Sequence, residues 1–119
     1  MIEKLPVAED GDGFIAYKCG DSQYYIEVKA GTIMSDHTHR EVEEIFLFRG
    51  RAEFTLGDSK EIIEGPVKII IPPNVYHKCV ALTDLYGFEI KSALRPSASD
   101  SAGEAAGRLY RLQKHSELG

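Results

Sequence analysis

The chain has 119 residues, 43% hydrophobic and 28% charged, with 14 Lys and Arg against 19 Asp and Glu and a formal net charge of −5. This length predicts one domain with its own core, and the acidic balance without a dense basic patch argues against a nucleic-acid partner. No apolar run reaches the length of a membrane span and no secretory signal is recognisable, so with only two cysteines we expect a cytoplasmic protein with free thiols and no membrane partner.

Most of the chain reads as short β-strands, because β-branched and aromatic residues recur between turn signals. Glycine, proline and asparagine separate the runs, as at Gly31, Gly50 and Pro72-Pro73-Asn74. This spacing predicts an all-β antiparallel sandwich or barrel. The predicted strands are Phe14–Cys19, Gln23–Ala30, Glu44–Arg49, Ala52–Leu56, Lys60–Ile63, Val67–Ile71, Tyr76–Leu82 and Leu85–Ala93.

The composition changes at Pro96, where small polar residues begin. We therefore predict a barrel over residues 1–95 and a linker and tail over residues 96–119. Ser101 and Glu104 have the spacing of a helix capping box, which favours a short helix in the tail. A strand or arm that docks on a second subunit is the alternative.

Two histidines lie where the chain enters a hydrophobic strand. Residues two apart on a strand project from one face, so His37 and His39 can point at one spot and chelate a metal ion. Glu43 lies at even offset from both histidines and Glu44 at odd offset, so strand alternation favours Glu43 as their carboxylate neighbour. A turn between Arg40 and Val42 would break this parity, so alternation alone leaves both glutamates open.

A third histidine follows the break at Pro72-Pro73-Asn74. Asparagine tolerates the left-handed conformation of tight turns, so we expect Asn74 to adopt it. His77 then lies at the start of the next strand, which a curled sheet can bring across to His37 and His39. Sequence spacing alone does not establish that approach.

Both stretches resemble the signature motifs of the cupin superfamily. The first motif is Gly, five residues, His-x-His, three or four residues, Glu, six residues, Gly, and Gly31, His37, His39, Glu43 and Gly50 match every position. The closing glycine selects Glu43 over Glu44.

The second cupin motif is Gly, five residues, Pro-x-Gly, two residues, His, three residues, Asn. Gly65, Pro72 and His77 follow this pattern with three departures. One extra residue separates Gly65 from Pro72, Asn74 replaces the glycine, and Ala81 replaces the final asparagine.

The resemblance implies a double-stranded β-helix, or jelly-roll barrel. It also implies one divalent metal ion, of zinc, nickel, iron or manganese, held by His37, His39, Glu43 and His77. Three neutral imidazoles and one carboxylate leave two positions of an octahedral ion open to water, substrate or dioxygen.

Three functions are compatible with this expectation. The first is a metal-dependent enzyme of the dioxygenase, decarboxylase, isomerase or lyase type, acting on a small polar or aromatic molecule. The second is a non-catalytic module that binds or senses a small molecule or a metal, and the third is a metal-free sugar-nucleotide epimerase type of cupin. Polar groups near the open metal positions would favour the enzyme over the binding module.

Two further expectations concern Cys79 and the outer face of the sheet. Cys79 has the parity of His77 and should face the interior as a small buried thiol. Phe46 and Phe48 face away from Glu43, and a single barrel need not cover them. Small cupins commonly dimerise, so we expect a homodimer.

Overall fold

A computed structural model of the chain describes residues 1–92 and consists of two antiparallel β-sheets. The larger sheet has the strand order β1-β2-β3-β10-β5-β8, and the smaller has the order β4-β9-β6-β7. The described residues contain no helix that could cross a membrane. The strands are β1 (Val7–Gly11), β2 (Phe14–Gly20), β3 (Gln23–Val28), β4 (Ile33–His37), β5 (Val42–Arg49), β6 (Arg51–Leu56), β7 (Ser59–Glu64), β8 (Val67–Ile71), β9 (His77–Ala81) and β10 (Leu85–Ser92).

All eight predicted strands are present, so the prediction of an all-β fold is confirmed. Two strands were not predicted. β1 is an exposed edge strand with little hydrophobic alternation, and β4 is short and interrupted at Ser35, whose φ is 70°. Neither strand carries a clear period-2 signal, because neither buries one continuous face.

The two sheets bury an apolar core between their inner faces. Strand alternation puts Ile45 and Leu47 of β5 on the inner face, on the side of Glu43, and both line the interior. Residues from both sheets complete the core: Ile26, Val28, Ala52, Phe54, Leu56, Ile69, Ile71, Ala81 and Leu85.

Turn residues hold the ends of the strands. Gly50 joins β5 to β6 with φ of 111°, and a Cβ atom there would lie 2.3 Å from the backbone oxygen of Asp84. Only glycine fits this position without strain. Asn74 has φ of 60°, which confirms the left-handed turn before β9.

Aromatic side chains lie on the outer face of the larger sheet. Phe46 stacks on Phe48 with ring centroids 6.4 Å apart, and Phe88 lies 6.5 Å from Phe46. Tyr17 stacks on Tyr25 at 6.1 Å in the neighbouring strands β2 and β3. The phenylalanines face away from Glu43, as predicted, and Phe48 is 55% exposed.

Candidate metal centre

Three histidines converge at one end of the space between the sheets. β4 and β9 pair so that His37 lies opposite His77. His39 lies beyond the end of β4, in the connection to β5, and its backbone oxygen accepts a hydrogen bond of 2.7 Å from the backbone N–H of Asn74. The left-handed turn at Asn74 therefore ties the His39 loop to the residues just before His77.

The expectation that His37 and His39 share one face of a strand is wrong in its detail. β4 ends at His37, so strand alternation does not extend to His39. The two rings approach while the chain continues past the end of β4, bends at Arg40 and Glu41, and is held at His39 by the hydrogen bond from Asn74. Side-chain convergence was predicted correctly, but the loop produces it.

The three imidazole rings form a compact cluster. Their centroids are 5.3 Å apart for His37 and His39, 4.8 Å for His37 and His77, and 4.7 Å for His39 and His77. One nitrogen from each ring lies within 4.8 Å of the others, which is a grouping able to hold a metal ion. His77 has no exposed surface, whereas His37 lies at the open side of the cluster.

Backbone carbonyl groups fix which ring nitrogens carry hydrogen. The Nδ1–H of His77 donates to the backbone oxygen of Val75 at 3.0 Å, and the Nδ1–H of His39 donates to the backbone oxygen of Glu41 at 3.0 Å. Because a carbonyl oxygen can only accept, the neutral form of His77 presents an unprotonated Nε2, whereas Nε2 of His39 lies within hydrogen-bonding distance of Glu43. This backbone support of one ring nitrogen is typical of metal-binding histidines.

Glu43 faces the same cluster and is 2% exposed. Its Oε1 lies 2.8 Å from Nε2 of His39 and 3.6 Å from Nε2 of His77. Glu44 points to the outer face of the sheet, where it forms an ion pair of 3.0 Å with Lys68. The structure thus brings Glu43, and not Glu44, to the histidines.

Burial is the main influence on the charge of the histidines. It lowers the pKa of His77 to about 4, with the charges of His39, His37 and Lys91 acting in the same direction against the hydrogen bond to Val75. Burial also lowers the pKa of His37, and the charges of His39 and Lys91 add to it. At neutral pH both rings are therefore neutral, which is the form that binds a metal ion.

Two charged residues beside this cluster were missed in the sequence. In β10, Leu85 and Gly87 line the interior, and Glu89 and Lys91 continue the same inward row toward the histidines. Lys91 lies directly opposite Glu43 in β5. The inward parity of β10 was the available signal, but its register against β5 cannot be read from sequence.

Glu89 forms a carboxyl pair with Glu43. Burial raises the pKa of Glu89, and a hydrogen bond with Glu43 and its negative charge act in the same direction. Two carboxyl groups in hydrogen-bonding contact require a proton between them, so Glu89 is the protonated partner next to the cluster.

A small cavity extends from the carboxyl pair into the core. Its volume is about 40 Å³, and apolar side chains form most of its wall, together with Glu43, Glu89 and Cys79. Such a space holds roughly two or three water molecules. Cys79 faces this interior as predicted, and burial raises the pKa of its thiol to about 11.

The spacing of the donor atoms suits a divalent ion. Ligand atoms bound at about 2.1 Å lie about 3.0 Å apart on an octahedral edge and about 3.4 Å apart in a tetrahedron. The distances of 2.8 and 3.6 Å from Glu43 to the two Nε2 atoms bracket these values. The histidine nitrogens are more widely spread, within 4.8 Å of one another, and three imidazoles with one carboxylate are a donor set that fits a bound cation.

The sequence matches no family profile and no curated protein. Solved structures resemble the fold at low identity. An RmlC-like cupin from Shewanella frigidimarina is 15% identical, with a TM-score of 0.65 over 79% of this chain and 88% of that chain. A predicted oxalate decarboxylase from Thermotoga maritima is 17% identical, with a TM-score of 0.57 over 60% of this chain and 65% of that chain.

A larger enzyme contains a similar domain. Salicylate 1,2-dioxygenase from Pseudoaminobacter salicylatoxidans, solved with gentisate, is 14% identical, with a TM-score of 0.61. The similarity covers 67% of this chain and 25% of the dioxygenase. At these identities the likeness is one of fold.

Proposed function

Because the chain has the double-stranded β-helix fold of the cupin superfamily, we propose that it is a metal-dependent enzyme in which His37, His39, Glu43 and His77 hold one divalent ion. The observation that carries the proposal is the buried Nε2 of His77, which has no hydrogen-bond partner among the described residues. Leaving a buried acceptor unpaired costs about 1–3 kcal/mol. A cation bound between the three rings removes that cost.

The ligand set limits the metal to a few candidates. Imidazole nitrogen and carboxylate oxygen suit zinc, nickel, iron and manganese, and geometry with metal availability decides among them. Neutral histidines and one carboxylate leave a divalent ion with a net charge of +1. When bound, such an ion supplies Lewis acidity to an oxygen atom of the substrate.

Polar groups beside the histidines favour an enzyme over a binding module. Glu89 holds a proton next to Glu43, and Lys91 adds a positive charge on the same side. A pocket that served only to enclose a ligand needs neither a proton donor nor an unshielded charge at its metal-facing end. The non-catalytic binding or sensing module is the alternative, and an apolar wall deeper in the cavity is the feature in its favour.

The metal-free epimerase type of cupin is the second alternative. Its reaction needs a histidine that exchanges protons near neutral pH. Burial lowers the pKa of His77 to about 4, which makes this ring a poor base for that role.

The substrate class we propose is a small polar or aromatic molecule. The cavity of about 40 Å³ inside the barrel cannot enclose a larger ligand, so the substrate would meet the metal at the open side, where His37 is exposed. Two of the similar structures are named for oxalate and salicylate, which are molecules of this size.

Metal content per chain tests the proposal directly. Protein purified without chelator should contain about one divalent ion per chain by elemental analysis, and His37→Ala and His77→Ala should lose most of it. Substitution of Lys68 to Met, on the outer face, is the matched control and should retain full metal. Wild-type protein that takes up no divalent ion, or a His37→Ala and His77→Ala double variant that retains it, would overturn the assignment.

We also propose a cytoplasmic homodimer. Both cysteines are unpaired, which suits a reducing compartment. The exposed ring of Phe48 and the neighbouring aromatic side chains form the outer face that a second copy would cover. Light scattering should give about twice the chain mass of 13.2 kDa, and Phe48→Asp should shift it toward a monomer. A wild-type monomer at micromolar concentration would contradict this.

A further inference from the structure

Lys91 is an inward-facing cation at the metal-facing end of the barrel. It lies opposite Glu43 in the pairing of β10 with β5, and its backbone N–H donates to the backbone oxygen of Ser22 at 2.9 Å. The same β10 row contains Leu85, Gly87 and Glu89, which line the interior. Alternation therefore directs the Lys91 side chain toward the histidine side of the sheet and not toward the aromatic outer face.

The ammonium group of Lys91 forms no ion pair within residues 1–92. The lysine–carboxylate pairs found there join Lys60 to Glu53 and Lys68 to Glu44. Lys91 nevertheless acts electrostatically on the cluster: after burial, which is the main cause, its charge contributes to the lowered pKa values of His37 and His77. A half-buried cation near three imidazoles and without a paired carboxylate has a charge left to offer to a ligand.

We propose that Lys91 anchors the carboxylate of a small anionic substrate while a neighbouring oxygen of the same molecule takes an open metal position. This inference rests on the proposed metal site and names the class of ligand that this site accepts.

Charge balance supports an anionic ligand. Among the inward-facing groups of β5 and β10, the proposed ion with Glu43 has a net charge of +1 and Lys91 adds another, so this part of the site stays positive even with Glu89 counted as an anion. A partly buried site with excess positive charge favours an anion over a neutral molecule of the same shape, because the attraction is weakly screened there. A carboxylate also satisfies the donors of an ammonium group with a charge-assisted hydrogen bond.

The size of the site restricts the anion. The cavity beside Glu43 and Glu89 has a volume of about 40 Å³, so a ligand that enters it must be short, or must extend outward past His37. A 2-hydroxy acid combines a carboxylate with an adjacent oxygen in the smallest frame, and it is therefore a suitable probe.

The test compares two small probes of matched shape, glycolate and its neutral amide glycolamide. Protein loaded with cobalt(II) is titrated with each probe, and the visible absorption of the bound cobalt reports binding without any need for turnover. We expect Lys91→Met to weaken glycolate binding by about tenfold or more, as for loss of a hydrogen bond to a charged group. Glycolamide binding should change by less than about twofold, because it carries no charge for Lys91 to attract.

Two further variants separate charge from shape. Lys91→Arg keeps the charge and should bind glycolate within about threefold of wild type, since guanidinium also pairs with carboxylates. Lys68→Met removes a lysine from the outer face of the same sheet and should have no effect on either probe.

The outcomes distinguish this inference from the proposed function. Wild-type protein that takes up no cobalt would reject the metal site and Lys91 with it. Normal cobalt content with unchanged glycolate binding in Lys91→Met would reject the role of Lys91 alone. Equal losses for glycolate and glycolamide in that variant would likewise reject it, because they would show a structural effect in place of charge recognition.

Discussion

Replacement of His77 by leucine should separate two effects on the free energy of unfolding. One is the cost of the histidine cluster in the metal-free protein, and the other is the stability gained when metal binds. His77 has no exposed surface, and the two side chains are of similar volume, so leucine fits beside the apolar residues below the cluster. The change removes the Nε2 atom that lacks a partner and the hydrogen bond from Nδ1–H to Val75.

The magnitudes in the metal-free protein nearly cancel. Loss of the unpaired Nε2 stabilises the fold by about 1–3 kcal/mol, and loss of the hydrogen bond to Val75 costs about 0.5–1.5 kcal/mol. The unfolding free energy of metal-free His77→Leu should therefore lie between about 0.5 kcal/mol below and about 2.5 kcal/mol above that of wild type. This is an unusual expectation for a polar core residue at 0% exposure.

Bound metal changes the comparison between the unfolding free energies of wild type and His77→Leu. At a free metal concentration about 1,000 times the dissociation constant, binding stabilises wild type by about 4 kcal/mol. If loss of one ligand weakens binding at least about 100-fold, the same concentration stabilises His77→Leu by only about 1.4 kcal/mol. Metal should thus separate two proteins that are of similar stability without it.

Urea unfolding in chelator measures the stability of metal-free wild type and His77→Leu, and unfolding with added zinc measures how much metal stabilises each. Lys68→Met is the control and should follow wild type in both conditions. Two results would refute the reasoning. One is a metal-free variant destabilised by more than about 3 kcal/mol, which would mean that Nε2 is well paired in the wild type. The other is an equal gain from zinc in both proteins, which would exclude His77 as a ligand.

Three other substitutions or conditions test the site. Glu43→Gln should reduce metal content and Glu44→Gln should leave it near wild type, and elemental analysis showing equal losses would contradict the placement of Glu44 on the outer face. In chelator, the stability of wild type relative to His77→Leu should fall as pH decreases from about 6.5 to about 4, by up to about 1.4 kcal/mol per pH unit, because burial holds the pKa of His77 at about 4 and the unfolded chain takes up the proton first. The comparison with His77→Leu cancels the opposite contribution of Glu89, whose pKa burial raises, and a stability difference that does not change with pH would contradict the reasoning. Iodoacetamide should modify exposed Cys19 in the folded protein but Cys79 only in urea, by mass spectrometry, because burial raises the pKa of the Cys79 thiol to about 11.

Local patterns in the sequence were sufficient for the all-β fold, whereas the meeting of His77 with His37 and His39 was expected only from the resemblance of the two motifs to those of cupins. Period-2 alternation directs Ile45 and Leu47 inward together with Glu43, and this parity is a property of a single strand that needs no partner. The left-handed turn at Asn74 was also predictable, since asparagine tolerates positive φ at little cost. Predictions for residues 96–119 lie outside the described part of the chain and stay predictions.

Tertiary structure alone decided how distant segments meet. His39 reaches the cluster from a loop whose position depends on the hydrogen bond to Asn74, and no strand periodicity encodes that contact. Glu89 and Lys91 join the site only because β10 pairs with β5 in a register that sets Lys91 opposite Glu43. Alternation specifies which face a side chain takes within its own strand. A shift in the pairing of two distant strands instead moves that side chain along the barrel. Because the packing of the whole core selects among such shifts, the register is a property of the folded chain.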